Sequence, residues 1–245
     1  MSYTPFIVLT APRSGSSMLI QALRAHPRIV SFGELFNRGH IGFNTPGFEN
    51  RNRMLQSWRD RHPAEFMQRM VYRGYDESVQ AVGFKVFYEH VDRPQLRPLK
   101  SYLAQKPELR VIHLRRRNLL RAFLSRTIAL RTGVWGAKSP RQRRHYRVRL
   151  KPADCHGYFE MQSRQWAEYD KVFAFNALLR VTFETLVAEF EPEMERVLDF
   201  LGADKTCLPR LTVKQEVRPL AEAIIGYAEL KSEFAGTRWA EMFDE

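Results

Sequence analysis

Apolar and polar positions along the chain follow two periods in turn, and this pattern predicts alternating strands and helices. Pro5–Thr10 is a short apolar run that is typical of a buried strand. Met18–Leu23 has its apolar residues at the spacing of an amphipathic helix, and runs of both kinds recur along the chain. The pattern predicts strands at 5–10, 28–32, 80–87, 109–114 and 179–183, and helices at 16–26, 62–73, 94–105, 117–131, 156–175, 185–202 and 217–226.

Strands that alternate with helices predict an α/β protein of three layers, in which a central, mainly parallel sheet is flanked by helices. A chain of 245 residues can build a substantial core, and we expect a single domain over residues 1–245. Ligands of such sheets gather outside the carboxyl ends of the strands. Arg13, Lys85 and Arg117 each lie at or just after the end of a predicted strand, so we expect these cations to converge there.

The segment between the first strand and the first helix has the composition of an anion-binding loop. The N-terminus of a helix presents free backbone N–H groups and the positive end of the helix dipole. Gly15 allows the backbone to approach a ligand closely. Three hydroxyls and one guanidinium accompany it, from Ser14, Ser16, Ser17 and Arg13. This composition predicts a ligand that carries phosphate.

The loop does not match the phosphate loop of nucleoside triphosphatases. That motif requires a lysine directly after its second glycine, whereas Ser16 follows Gly15 here. Those enzymes also place an acidic residue after a later strand to hold Mg²⁺. In this chain the two later strands run into Lys85 and Arg115–Arg117. The charges therefore favour neutralisation of the ligand by side chains, without a metal ion.

Two motifs resemble those of sulfotransferases that use 3′-phosphoadenosine-5′-phosphosulfate (PAPS). Pro12–Ser17 resembles the family's 5′-phosphosulfate loop. Arg117 and Asn118 follow a predicted strand, and Ser125 stands eight residues beyond Arg117, which is the spacing of the family's 3′-phosphate site. With Asn118 as the N-cap, Arg117 stays in the loop and Ser125 lies early in the helix. The resemblance implies a P-loop-like fold, PAPS as donor, 3′,5′-adenosine bisphosphate as product, and no metal.

The resemblance covers most of the chain. Ile7–Asn37 is similar to bacterial sulfotransferases that modify nodulation factors and other glycans, and Val181–Leu186 resembles a family stretch that reads Tyr-Glu-x-Leu. The family's C-terminal Arg-Lys-Gly loop for the 3′-phosphate is absent. Lys214–Gln215 or Arg218 is the candidate substitute, and Lys214 is our first choice. The resemblance implies a hydroxyl of a carbohydrate or glycolipid as acceptor.

The general base differs from that of the cytosolic eukaryotic members. Their catalytic His corresponds to Phe87 here, whereas the bacterial enzymes use a Glu after the first helix, which Glu34 matches. Burial would have to raise the pKa of Glu34, and the surrounding cations oppose this. The candidate catalytic residues are Glu34 as base, with Arg13 and Lys85 to stabilise developing charge. The reserve bases are His90 and His40.

Charge leaves other interpretations open. The net charge of +12 and the pI of about 10.0 indicate an anionic ligand or surface. Residues 131–151 hold eight basic residues and no acidic one. This basic stretch fits a solvated loop, a lid over donor or acceptor, or contact with a membrane surface or nucleic acid, and we favour the lid over the acceptor. A P-loop kinase and a basic nucleic-acid-binding protein remain the alternative functions, although no recognised nucleic-acid motif is present and no nucleic acid is expected as a partner.

The sequence also predicts a cytoplasmic location. Cys155 and Cys207 make no disulfide framework, which favours a reducing compartment. No signal peptide precedes the first strand, and no apolar run of about 18 residues could span a membrane. The acceptor and the oligomeric state stay open.

Overall fold

A five-stranded, all-parallel sheet organises the part of the chain that the computed structural model describes, which comprises residues 2–43, 50–135, 146–211 and 218–244. The strands are β1 (Thr4–Thr10), β2 (Ile29–Glu34), β3 (Ala81–Phe87), β4 (Arg110–Arg115) and β5 (Leu178–Thr182). Their order across the sheet is β2-β3-β1-β4-β5, and each neighbouring pair is parallel. The predicted fold class and all five predicted strands are therefore confirmed.

Helices follow most of the strands. They are α1 (Ser16–Ala25), α2 (Arg53–Arg61), α3 (Pro63–Phe66), α4 (Tyr88–Val91), α5 (Arg97–Ala104), α6 (Leu119–Thr132), α7 (Pro152–Val172), α8 (Phe183–Ala188), α9 (Phe190–Leu201), α10 (Leu220–Ala223) and α11 (Tyr227–Glu233). Short 3₁₀ segments lie at Pro94–Leu96 and Ala240–Phe243, and one π-helical turn lies at Met67–Val71. In these described ranges no helix is both long and apolar enough to cross a membrane.

The described residues group into two compact units. The first comprises Met1–Arg115 and Glu168–Arg210, and it contains the whole sheet. The second comprises Arg116–Ala167 and Leu211–Glu245. The expectation that residues 1–245 act as a single domain stays a prediction.

In the first unit, β1 is the central strand and its side chains reach the cores on both faces of the sheet. Phe6 and Val8 pack with α1 and α9 in one apolar cluster, because alternate residues of a strand point to the same face. Ile7 is paired with Phe84 of β3, and Phe84 packs with Phe36 on the other face. A strand buried on both faces reads as a continuous apolar run, which is why the sequence identified it.

The second unit has its own apolar core. α6 and α7 pack there with α10, α11 and the C-terminal 3₁₀ turn through residues such as Leu120, Phe159 and Trp239. An isolated parallel bridge joins Val148 to Ile224. Asn118 caps α6, as predicted, because its side chain accepts a hydrogen bond from the Arg121 amide at 2.8 Å.

Several helix predictions were wrong in detail. The single helix predicted at 185–202 is divided into α8 and α9, because Glu189 between them has non-helical dihedrals (φ −129°, ψ 57°). The single helix predicted at 62–73 is α3 followed by the π-helical turn, because Pro63 opens a new helix and His62 has non-helical dihedrals (φ −129°, ψ 58°). α2 was missed because its apolar side chains are few and only partly buried, at Leu55 and Trp58, and its one buried residue is the charged Arg59. The helix predicted at 217–226 is the shorter α10, and residue 217 lies outside the described residues.

Replacing Gly83 with Ala tests the close contact at the centre of the sheet. A Cβ at this position would lie 2.3 Å from the backbone oxygen of Phe6, so β3 could not keep its distance from β1. We expect a loss of about 1–3 kcal/mol in the free energy of unfolding, measured by denaturant titration. Gly74→Ala is the matched control, because nothing lies within 4 Å of its added Cβ. Equal stability of the two variants would contradict the packing described here.

Candidate active site

The loop between β1 and α1 has an unusual backbone. Arg13 has a φ of 70°, and among the described residues it is the one non-glycine residue with positive φ. Such a conformation costs an L-residue roughly 1–2 kcal/mol and is found preferentially at functional sites. Gly15, the N-cap of α1, follows with a φ of 84°. The loop is thus bent tightly directly before the helix N-terminus.

Gly15 is required by packing as well as by its dihedral angles. A Cβ at Gly15 would lie 2.3 Å from Cδ2 of Phe183, the first residue of α8. The aromatic ring of Phe183 therefore lies directly against the loop. We predicted Gly15 from the close approach of a ligand, and the structure shows a second reason, the support of the loop by a neighbouring ring.

The hydroxyls of the loop differ in exposure. Ser14 and Ser16 are each 4% exposed, whereas Ser17 is exposed and Arg13 is partly buried. The first turn of α1 contains no acidic residue, and the Gly15 position supplies no side-chain cap. The N-terminal N–H groups of α1, which an anion would meet, are therefore not neutralised by a carboxylate of the helix.

A hydrogen bond anchors the start of the loop. The buried hydroxyl of Thr10 donates to the backbone oxygen of Leu114 at 2.6 Å, which ties the carboxyl end of β1 to that of β4. The loop therefore begins from a fixed point at the carboxyl edge of the sheet, where ligands of parallel sheets bind.

A bulge in β2 brings the candidate base to the candidate lysine. Phe32 is paired with Phe84, and the register then shifts so that Glu34 faces Lys85. The extra residue is Gly33, whose amide donates to the Gly42 backbone oxygen at 2.7 Å. Glu34 Oε1 and Lys85 Nζ are 2.9 Å apart, and both side chains are largely buried. The structure therefore places Glu34 and Lys85 together in one ion pair.

The surroundings of Glu34 favour its ionised form. Burial raises its pKa, but the charge and hydrogen bond of Lys85, a hydrogen bond from Asn37 and the nearby His90 outweigh this effect. The net result is a pKa below the ordinary value. The cations thus decide the direction, and Glu34 is a carboxylate at neutral pH.

The reserve bases have other environments. His90 is buried, and its pKa is lowered to about 4, mainly by burial and further by Arg93, Lys85 and Arg59. Its Nδ1 accepts from the Phe87 amide at 3.4 Å, so the ring caps the end of β3. The backbone oxygen of His40 accepts a hydrogen bond from Arg59. The hydrogen bond from the Phe87 amide indicates that His90 stabilises the end of β3.

The second unit carries the candidates for the 3′-phosphate. Arg117 is exposed directly before the cap of α6, and Ser125 lies buried within the same helix. The Arg218 guanidinium donates to the Tyr146 backbone oxygen at 2.9 Å. Lys214 and residues 136–145 of the basic stretch lie outside the described residues. The convergence of Arg117 with Arg13 and Lys85 stays a prediction.

A polar network centred on the buried His113 joins β4 and β5 to α4 and α7. We assign a proton to Nδ1 of His113, which donates to Asp170 Oδ1 at 2.9 Å, because a carboxylate can only accept. Nε2 then accepts from the Tyr88 hydroxyl at 2.6 Å. Arg115 and Arg180 complete the network through ion pairs with Asp170.

The titration of this network follows from burial and charge. The pKa of His113 is lowered to about 4, chiefly by burial and then by Arg115, whereas Asp170 opposes the shift. Burial raises the pKa of Asp170, but the hydrogen bonds from Arg115, Arg180 and His113 bring it to about 2. At neutral pH the network therefore contains an uncharged imidazole and an ionised carboxylate.

Residues 12–17, Glu34 and Lys85 were predicted from the sequence, whereas two further residues at the site were not. Phe183 supports the loop, and the signal that pointed to it was its place in Val181–Leu186, which resembles a family stretch. Asn37 donates to Glu34 Oε2 at 2.9 Å. Asn37 ends the stretch that resembles bacterial sulfotransferases, but the sequence assigns it no role, because its contact depends on the turn after β2. Within the described ranges there is also no group of three or more His, Cys, Asp or Glu residues placed to hold a metal ion.

Comparisons with known proteins agree on one family. A profile described as "Sulfotransferase family" matches residues 5–206. Nodulation protein H of Rhizobium meliloti (strain 1021) is 30% identical over an alignment of 246 residues, which covers 98% of this chain and 95% of that protein. Nodulation protein H of Rhizobium tropici is 32% identical, with coverage of 98% and 93%.

A solved structure shares the fold. The crystal structure of a sulfotransferase from Alicyclobacillus acidocaldarius superimposes with a TM-score of 0.52 at 19% sequence identity. The match covers 96% of this chain and 93% of that chain. The likeness extends over nearly the whole of both chains and concerns the fold.

The buried His113 makes stability depend on pH. Its pKa is about 4 in the folded protein against 6.5 for a free imidazole, so below pH 6.5 the unfolded chain binds a proton that the folded chain does not. Stability therefore falls as pH drops from about 6.5 to about 4, by roughly 1–3 kcal/mol for this group. Urea denaturation at several pH values across that range should show the free energy of unfolding decreasing as the pH falls.

The variant His113→Gln separates this contribution from others. In this variant the free energy of unfolding should depend less steeply on pH. It should still rise with pH, because His90 titrates in the same direction. His62→Gln is the control, because the His62 ring is exposed in the folded protein, so unfolding changes its solvation little. An unchanged slope in folded His113→Gln would contradict the assignment of a neutral, buried imidazole.

Proposed function

This chain belongs to the sulfotransferase family and transfers sulfuryl groups, and we propose that its donor is PAPS and its acceptor a hydroxyl of a carbohydrate or glycolipid. The observation that carries the proposal is the bent loop of residues 11–15 ahead of α1. It joins a strained Arg13, buried serine hydroxyls and a helix whose first turn has no acidic residue, at the carboxyl edge of a parallel sheet. The family membership takes precedence over the kinase and nucleic-acid alternatives.

The donor set of the loop fits the phosphosulfate end of PAPS. Ser14, Ser16, Ser17 and Gly15, with the first amides of α1, would hold the 5′-phosphate by hydrogen bonds. A guanidinium and an ammonium at the same edge suit a ligand with several anionic oxygens. When bound, PAPS supplies the sulfuryl group and leaves as 3′,5′-adenosine bisphosphate. Arg117, Ser125 and Lys214 are the residues that we propose for the 3′-phosphate.

Glu34 is the base that we propose for the acceptor. A hydroxyl is a poor nucleophile, so its proton must be removed as the new O–S bond forms and the S–O bond to the phosphate breaks. Glu34 is ionised and therefore able to take that proton. Negative charge brought near Lys85 would offset part of its effect and raise the pKa of Glu34, which strengthens the base.

Arg13 and Lys85 would stabilise the charge that develops on the transferred group and on the departing phosphate. Sulfuryl transfer, like phosphoryl transfer, requires mainly positioning and electrostatic stabilisation from the protein. A sulfuryl group carries less charge than a phosphoryl group, which suits cationic side chains as the stabilising groups. Lys85 lies 5.0 Å from the centre of the Phe87 ring, which limits the positions of its ammonium.

The relatives support the class of acceptor. Two proteins named Nodulation protein H align over 98% of this chain, and the first third of the chain resembles bacterial glycan sulfotransferases. We therefore propose a carbohydrate or glycolipid hydroxyl as the acceptor. A cytoplasmic location and contact of residues 131–151 with an anionic membrane surface remain part of this proposal.

Calorimetry with 3′,5′-adenosine bisphosphate tests the donor. We expect it to bind at least about tenfold more tightly than ATP with Mg²⁺, because the protein sites match a nucleotide with separate 3′- and 5′-phosphates. Arg117→Ala should weaken binding, whereas Arg69→Ala, which removes an exposed charge paired with Glu65, should not. Failure of the bisphosphate to bind would overturn the proposed donor.

The variant Glu34→Gln tests the base. It should still bind the bisphosphate but lose turnover by at least about 100-fold, because the amide cannot take a proton. Turnover is measured as transfer of ³⁵S from labelled PAPS to a panel of acceptors that contains carbohydrates, glycolipids and alcohols that are not carbohydrates. Glu77→Gln, at an exposed carboxylate, is the control. Near-normal turnover of Glu34→Gln would refute the base, and labelling of non-carbohydrate hydroxyls alone would refute the acceptor class.

A further inference from the structure

We propose that Asn37 is a positioning residue that holds the carboxylate of Glu34 in the orientation in which it receives the proton of the acceptor. This inference rests on the proposed function, because it assigns a partner to the proposed base. It starts from the two oxygens of Glu34. Oε1 is 2.9 Å from Lys85 Nζ, and Oε2 accepts from Asn37 Nδ2 at 2.9 Å. One donor on each oxygen fixes the plane of the carboxylate.

The amide of Asn37 is itself oriented by a second hydrogen bond. The backbone amide of Gly39 donates to Asn37 Oδ1 at 2.9 Å. The side-chain oxygen of Asn37 is therefore turned toward Gly39, and its NH₂ group toward Glu34. Asn37 thus bridges the backbone of the turn to the carboxylate, and only an amide offers an acceptor and a donor at these two positions.

A buried arginine holds the backbone of this turn. Arg59 of α2 is fully buried, and its Nη1 donates to the backbone oxygens of Leu35 at 2.7 Å, Asn37 at 3.0 Å and His40 at 3.3 Å. Asp60 neutralises the charge of Arg59 at 2.8 Å. Such a charge is costly to bury unless it is paired and hydrogen-bonded, so its use here indicates a turn whose geometry is strongly determined.

A second arginine acts on the same turn. Arg93 is buried and donates to the backbone oxygen of Phe36. With Arg59, it fixes three consecutive carbonyl groups of the chain that leads from Glu34 to Asn37. The side chain of Asn37 therefore projects from a rigid base, which is what a positioning residue requires.

Asn37 is needed because Lys85 has a second task. In the proposed reaction Lys85 stabilises charge on the transferred group. While the Lys85 ammonium interacts with that group, its ion pair with Glu34 is weaker. The neutral amide of Asn37 keeps its hydrogen bond to Oε2 throughout and leaves Oε1 to face the acceptor hydroxyl. Lys85 of β3 and His90 of α4 are the titratable groups that act on Glu34 beside it.

The test measures the pKa of Glu34 directly, by carbon NMR of ¹³C-labelled glutamate, with the Glu34 signal identified from Glu34→Gln. Asn37→Ala removes the hydrogen bond to the charged form and should raise that pKa. Asn37→Asp keeps the acceptor for the Gly39 amide but places a like charge against Glu34, so it should raise the pKa further. Both variants should lower kcat by about 10- to 100-fold and leave bisphosphate affinity unchanged.

The control is Asn52→Ala, which removes an asparagine of equal size that caps α2 through the Leu55 amide. It should lower stability but leave the pKa of Glu34 and kcat unchanged. If Asn37→Ala does not fold, Asn37→Asp carries the test alone, because it retains the bond to Gly39. The proposal would be overturned if a folded variant, Asn37→Ala or Asn37→Asp, had the wild-type kcat and the wild-type pKa of Glu34.

The same measurements separate this proposal from the proposed function. Loss of turnover in Glu34→Gln, together with Asn37 variants that change neither quantity, would refute Asn37 alone. Full turnover in Glu34→Gln with raised Glu34 pKa values in the Asn37 variants would refute the base and confirm only the anchoring of the carboxylate.

Discussion

The parallel pairing of β1 with both β3 and β4 is the constraint on which the candidate site depends. It buries β1 on both faces and brings the carboxyl ends of neighbouring strands to one edge. The loop between β1 and α1 extends from that edge, and the Thr10 hydroxyl ties its start to β4. Gly83 allows this arrangement, because any larger residue would meet the backbone of Phe6. The contacts of the loop are therefore set by the spacing of the central strands.

Two buried charged groups at this edge of the sheet are each neutralised by an oppositely charged side chain of the protein. Glu34 and Lys85 neutralise each other in a largely buried pair, and Asp60 does the same for Arg59 behind the turn after β2. Unpaired, each of these charges would destabilise the fold. Paired, they hold charged groups in fixed positions at this edge, which is the preorganisation that the proposed reaction requires.

The hydrogen-bonded network of Tyr88, His113 and Asp170 connects elements near the same edge of the sheet. It links α4, β4 and α7, and Arg180 of β5 joins it through Asp170. Burial keeps the imidazole neutral, so the network holds the strand ends together by hydrogen bonds without an additional buried positive charge. The sequence showed His113 only as a histidine inside an apolar strand.

Glu34 became a candidate base through the resemblance to bacterial sulfotransferases. The sequence by itself determined the five strands, the α/β class, the loop of residues 12–17, and Lys85 as candidate chemistry. These features are local, since they depend on apolar period, turn composition and spacing within a few residues. Asn118 as the cap of α6 was predicted for the same reason. α2 was not, because its only buried residue is charged, and burial of a charge depends on partners elsewhere in the chain.

Only the tertiary structure decided which side chains meet. The bulge at Gly33 sets Glu34 opposite Lys85, and the packing of Phe183 on Gly15 joins residues 168 positions apart. Strand register and bulges depend on hydrogen bonds between distant segments, and a shift of one residue turns a side chain to the other face. The direction of the Glu34 pKa shift followed from that register, because the distance to Lys85 determines how far its charge offsets the effect of burial.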